Sequence, residues 1–179
     1  CMSEIQSLER RRVLRALGAE LVLTPKAEGT KGAKARAVEI HEATPGSFYV
    51  CQHDNPDNPR AHYETTGPEI WRDTAGQVSH LVSAMGTTGT IMGTARFLRE
   101  QQPRPQIIGG QPAEGASRPG IRRWPLEYVP EIVDASLVDR EWDVTQDEAE
   151  VMRRRLAAEE GIFSGISSGG AIAAALRLS

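Results

Sequence analysis

The chain has 179 residues, 39% hydrophobic and 25% charged, which is folded-domain composition and excludes an intrinsically disordered segment. No uninterrupted apolar run approaches the ~18–20 residues a membrane span needs, and 21 Lys+Arg against 24 Asp+Glu leave a net charge of -3, with no electrostatic footprint for nucleic acid or anionic lipid. Two cysteines, Cys1 and Cys51, exclude a disulfide scaffold and fit a reducing, cytoplasmic compartment.

From the N-terminus, Ser7 reads as an N-cap with Glu9 in the first turn, and the helix runs through Val13 and Leu14 to Leu17 before Gly18. Glu20-Leu21-Val22-Leu23 reads as a short buried strand. A second helix spans Ala33 to Ile40, and Phe48-Tyr49-Val50 reads as a second strand. Residues 52–60, rich in Asn, Asp and Pro, read as a loop. Glu69–Arg72 reads as helical after Gly67-Pro68. His80–Ala84 is a third strand, entering Gly86-Thr87-Thr88-Gly89-Thr90 and a helix through Arg96-Phe97-Leu98. Gln106–Ile108 is a fourth strand, followed by a Pro/Gly-rich stretch from Pro112 to Pro130. Thr145-Gln146-Asp147-Glu148 has the spacing of a capping box for a helix ending near Glu160, and Gly165 to Gly170 opens the last helix. There is no internal repeat.

Strands and helices alternate, and the strands are short apolar runs without polar alternation. That combination predicts an α/β fold of mostly parallel sheets with helices on both faces. In such sheets ligands collect at the carboxyl ends of strands, which is where Gly86–Thr90 falls. Glycines there let the backbone turn tightly. The N–H groups at the helix start have no intrahelical partner and favour an anion, and Thr87, Thr88 and Thr90 add hydroxyls. The loop is neither a Walker A motif nor a G-x-G-x-x-G fingerprint. By itself it fits a phosphate cradle or a plain strand–helix turn. Gly165-Ile166-Ser167-Ser168-Gly169 likewise opens a helix: Ser167 or Ser168 either caps that helix or turns a hydroxyl to a ligand.

The stretches Asn55-Pro56-Asp57-Asn58-Pro59, Ala61-His62-Tyr63, Thr65-Thr66-Gly67-Pro68-Glu69-Ile70-Trp71 and Ser83 to Thr90 together carry a resemblance. So do Pro119 to Pro125 and Glu160-Gly161-Ile162-Phe163. The chain resembles the β-family (fold type II) pyridoxal-phosphate enzymes, tryptophan synthase β-like in fold, and among them the O-acetylserine sulfhydrylases of the B type. The resemblance runs from about Met2 to Ser179. It implies pyridoxal 5'-phosphate as cofactor, with Gly86, Thr87, Thr88, Gly89 and Thr90 cradling its phosphate and Ser167 meeting the pyridine nitrogen. It implies that Gln52 helps hold a substrate carboxylate. Arg122 and Arg123 would stand near the cleft mouth, where they could admit a sulfur donor, although a solvated surface pair fits them somewhat better.

The implied reaction is β-replacement: the acetoxy group of O-acetyl-L-serine gives way to sulfide or thiosulfate, forming L-cysteine or S-sulfocysteine. The family's Schiff-base lysine, in a Pro-Thr-Gly-Ser-x-Lys context, has no counterpart among Lys26, Lys31 and Lys34. The catalytic lysine is therefore expected upstream, and the chain is expected to be an incomplete, inactive part of the enzyme. On this reading residues 1–60 belong to a smaller N-terminal domain and 61–179 to the larger cofactor-binding domain. The resemblance also implies a homodimer acting on small molecules, with no membrane or nucleic-acid partner. Competing readings are a cystathionine β-synthase, a serine/threonine dehydratase, and a lysine-less module that only binds phosphate or a partner. His41, His53, His62 and His80 lack metal-ligand spacing. Trp71 and Trp124 read as packing residues, Cys51 as a small buried hydrophobe, and Arg153-Arg154-Arg155 as part of a mixed solvated face.

Overall fold

The computed structural model describes residues 1–113, 123–124 and 129–178. Two compact units divide it, Cys1–Val50 and Cys51–Ser179.

In the first unit β1 (Met2–Ser3) pairs in parallel with β2 (Leu23–Thr24). The connection is α1 (Leu8–Ala16), whose N-cap Ser7 accepts from the Arg10 N–H at 3.4 Å. Helix α2 (Gly29–Ala43) packs on both strands. It begins four residues before the expected Ala33. The strand expected at Glu20–Leu23 is shorter and displaced, to Leu23–Thr24, and Phe48–Val50 forms no strand. Phe48 is 80% exposed, so the burial that its apolar run predicted is not realised.

The second unit opens with α3 (Asp57–Glu64), α4 (Thr66–Asp73) and β3 (His80–Ala84), then α5 (Gly89–Arg99) and β4 (Gln106–Pro112). Strand β5 (Arg140–Val144) and helices α6 (Gln146–Glu159) and α7 (Ile166–Ala175) complete it. The strands form one parallel sheet in the order β3-β4-β5, with His80 opposite Gln106 and Ile108 opposite Arg140.

Both faces are covered, as the unalternating strands predict. On one face α5 buries Ile91, Met92, Ala95 and Leu98 against Met85 and Ile107, flanked by Trp71 and Leu81. On the other, α6 and α7 bring Ala149, Ala173 and Ala174 against Val144, with Val82 and Trp142 packed alongside. Leu81 and Val82 go to opposite faces, as successive strand residues must. Burying one large apolar side chain stabilises by ~1.5–3 kcal/mol, so Ile91, Leu98 and Ile107, fully buried, anchor the layer that carries the Gly86–Thr90 loop.

In this second unit two segments differ from expectation by more than their bounds. Residues 57–60 are helical, the first turn of α3, because Pro56 and Asp57 suit a helix start as well as a loop. Strand β5 was not anticipated. It is an edge strand whose Arg-Glu-Trp-Asp-Val sequence buries only Val144 fully. Asp139 fixes its entry, accepting from the Ile107 N–H at 2.7 Å and from Arg99 Nη2 at 2.6 Å. Partial burial pushes the Asp139 carboxyl up, but these donors outweigh it and hold the group below its ordinary value. The capping box is as expected: the Glu148 N–H donates to Thr145 Oγ1 at 3.2 Å, and the Thr145 N–H to Glu148 Oε2 at 2.7 Å.

Candidate functional site

At the carboxyl end of β3 the chain turns through Gly86, Thr87 and Thr88 into α5. This turn forms one wall of a cleft of about 340 Å³ lined by Gln52, His53, Ala84, Gly86, Thr87, Thr88 and Thr90. The parallel sheet dictates the place: the β3–α5 crossover must leave from the strand's carboxyl end.

Thr88, the N-cap of α5, has φ +73° and ψ -9°, a left-handed conformation that β-branched residues rarely adopt. Such backbone costs of order 1–3 kcal/mol and persists only where the surroundings enforce it. Here Thr88 is 3% exposed and its hydroxyl donates to the Thr87 carbonyl at 2.5 Å. The Thr88 hydroxyl is thus engaged within the loop, and Thr87 and Thr90 present the more accessible hydroxyls.

Three side chains brace the loop. Asn58 Nδ2 donates to the Gln52 carbonyl at 2.7 Å and to Thr87 Oγ1 at 3.3 Å. Thr90 Oγ1 lies 3.2 Å from His62 Nε2, and the other ring nitrogen of His62 lies 2.9 Å from Thr66 Oγ1. Trp124 Nε1 donates to the Gly86 carbonyl at 2.8 Å, and the Trp124 and His53 rings meet edge to face at 5.4 Å. None of these residues was picked out for the site from sequence, and Trp124 there read as a packing residue. Asn58 and His62 are one helical turn apart on α3, and that i, i+4 spacing is the signal by which they could have been found.

Among the described residues the lining offers hydroxyls, an amide side chain, an imidazole and the start of a helix, and contains no carboxylate. This donor set suits an anion with several oxygens and fits the phosphate of pyridoxal phosphate. The structure brings Gln52, Gly86, Thr87, Thr88 and Thr90 together. Gly89 lies immediately behind them: a Cβ there would stand 1.9 Å from Asn58 Oδ1. Ser167 sits half-buried in the first turn of α7, which packs along β3, but it does not line the cleft. Neither Ser167 nor Ser168 is the cap: Gly165 holds the N-cap position of α7. Arg122 lies outside the described residues, and Arg123 is exposed and paired with Asp143. Cys51, half-buried at φ +45°, donates through Sγ to Asp54 Oδ2 at 3.3 Å. Among the described residues no cluster of His, Cys, Asp or Glu could hold a metal ion, and no helix is long and apolar enough to cross a membrane.

A model of the family described as "Pyridoxal-phosphate dependent enzyme" matches residues 1–179. The chain is 56% identical over 178 residues to cysteine synthase B of Pseudomonas aeruginosa, covering 99% of this chain and 59% of that protein. Among solved structures it is similar to O-ureido-L-serine synthase (TM-score 0.90, 39% identity, 99% of this chain and 58% of that one). It is also similar to the cysteine synthase of Entamoeba histolytica (TM-score 0.86, 36% identity, 99% and 54%). The chain spans a little over half the length of these proteins.

Proposed function

The chain belongs to the pyridoxal-phosphate dependent enzymes, and on that premise we propose that the protein makes L-cysteine by β-replacement. The acetoxy group of O-acetyl-L-serine is replaced by sulfide, or by thiosulfate to give S-sulfocysteine. The observation that carries this reading is the cleft itself, with a phosphate-type loop on one wall and Gln52 on another. The 56% identity to a cysteine synthase B supports this reaction among those of the family.

When bound, pyridoxal phosphate supplies an electron sink that lets a β-substituent leave an amino acid. The residues of this chain bind and orient. The amides of Gly86–Thr90 and the hydroxyls of Thr87 and Thr90 hold the phosphate, and Thr88 sets the loop's turn. Ser167 hydrogen-bonds the pyridine nitrogen. Its hydroxyl can donate to a neutral ring nitrogen, whereas a carboxylate would keep that nitrogen protonated. Gln52 meets the substrate carboxylate, and Arg122 serves the sulfur donor. The same reading makes the protein a cytoplasmic homodimer acting on small molecules, and divides the chain near residue 60 between a smaller domain and the cofactor domain.

The test is substrate profiling of the protein purified from its source. Cysteine from O-acetyl-L-serine plus sulfide supports the proposal. Cystathionine from homocysteine, or a keto acid from serine or threonine, would replace it with another activity of the family.

A further inference from the structure

We infer that Asn58 is a positioning residue that joins the two walls of the cleft and sets the donor direction of Thr87. The inference rests on the reading of Gly86–Thr90 as a phosphate loop. Asn58 lies in the first turn of α3 and lines no part of the cleft. Its single amide nitrogen nevertheless spans Gln52 O at 2.7 Å and Thr87 Oγ1 at 3.3 Å. An amide –NH2 carries two protons, so both bonds form at once. The amide's orientation is fixed chemically, because a carbonyl can face only the nitrogen end.

A consequence follows for Thr87. A threonine hydroxyl has one proton and two lone pairs. The Asn58 bond occupies a lone pair, so the Thr87 proton is left to point elsewhere, and the cleft is the surface it lines. Asn58 thereby biases Thr87 toward donating, the role an anionic oxygen needs. The same nitrogen ties down the Gln52 backbone, so that both walls are held by one group.

The seat for this side chain is built. A Cβ at position 89 would stand 1.9 Å from Asn58 Oδ1 and 2.4 Å from its Cγ. Only glycine at the head of α5 leaves room for the amide. One turn further on, a Cβ at Gly93 would stand 1.9 Å from the Pro59 carbonyl oxygen, so α3 is held close to α5 over the whole contact.

The experiment titrates inorganic phosphate into the cofactor-free protein, followed by calorimetry, for wild type, Asn58→Ala, Thr87→Val and the double variant. Losing the bond that orients a charge-directed donor should weaken phosphate binding about tenfold in Asn58→Ala. In the Thr87→Val background the same change should cost less than about threefold, because its effect runs largely through Thr87. If Thr87→Val binds phosphate as wild type does, the phosphate-loop reading falls and this inference with it. If Thr87→Val weakens binding while Asn58→Ala does not, or the two effects simply add, the loop stands and the role of Asn58 is overturned. Asn58→Ser, too short to span both partners, is judged by the same criteria where Asn58→Ala does not fold. A readout on the unmodified chain stands apart from folding of variants: the Asn58 side-chain amide resonances should move with the midpoint of phosphate binding. Resonances that stay still through saturation overturn the inference.

Discussion

Gly93 and Pro59 approach so closely that a Cβ on Gly93 would stand 1.9 Å from the Pro59 carbonyl oxygen and 2.8 Å from the His62 Cβ. The obstacle is backbone rather than the end of a flexible side chain, so alanine cannot be accommodated by a rotamer change. Gly93→Ala should cost about 1–3 kcal/mol, toward the upper end because α3 must move off α5. Gly169→Ala should behave alike, since its Cβ would stand 2.1 Å from the Ala149 carbonyl oxygen between α6 and α7. Urea unfolding of each variant is the check, and midpoints equal to wild type would show that these helices are not so tightly joined.

Much of the second unit was legible because its signals are local. His80–Ala84 centres on the apolar pair Leu81-Val82 and has strand length, and it is a strand with those bounds. Thr145 and Glu148 have capping-box spacing and form one. What escaped depended on distant partners. Arg140–Val144 carries Arg, Glu and Asp and looks like surface, yet the free edge of β4 and the Asp139 anchor make it a strand. Phe48–Val50 fails for the converse reason: three apolar residues predict burial but cannot supply what would bury them. At the site, the Gly/Thr loop was readable from composition and position. Its braces offered only the i, i+4 spacing on α3, because Asn58 lies 29 residues from Thr87 and His62 28 residues from Thr90.

The His62 ring links Thr90 to Thr66 and gives the Thr90 hydroxyl a fixed partner. His62→Phe keeps a ring on α3 and removes both nitrogens. A net hydrogen bond is worth ~0.5–1.5 kcal/mol, so pyridoxal phosphate should bind about 2–10-fold more weakly while pyridoxal, without the phosphate, is little affected. Fluorescence titration with both compounds checks this. Equal losses for the two would place the effect of His62 away from the phosphate.

Glu148 gives a pH dependence with a definite sign. Its carboxylate is held below the ordinary value by the Thr145 N–H bond first, with the Thr145 hydroxyl and Arg177 adding, against a partial burial that raises it. A depressed carboxylate contributes stability that is fully present above its unfolded value. That contribution is lost as pH falls below the ordinary glutamate value and through the lowered folded one. Urea midpoints measured from pH 7 downward should show wild type ahead of Glu148→Gln at neutral pH and the gap closing in acid. A gap that is constant over the range would assign the effect to shape rather than charge.

Thr88 and Ser167 test the cofactor pocket at its two ends. Thr88→Ala removes the hydroxyl that closes on the Thr87 carbonyl and leaves a strained left-handed residue without that support. Ser167→Ala removes the proposed partner of the pyridine nitrogen. In the protein loaded with pyridoxal phosphate, the first should weaken cofactor retention and the second should alter the cofactor's absorption spectrum. Unchanged retention and spectrum in both would falsify the assigned pocket.

The most direct measurement is a crystal structure of the protein grown with saturating pyridoxal phosphate. The expected result is the phosphorus over the turn of Gly86 to Thr90, with the Thr87 and Thr90 hydroxyls within hydrogen-bonding distance of its oxygens and Gln52 facing the space beside the ring. Cofactor density elsewhere, with the turn of Gly86 to Thr90 holding no phosphate, would contradict it.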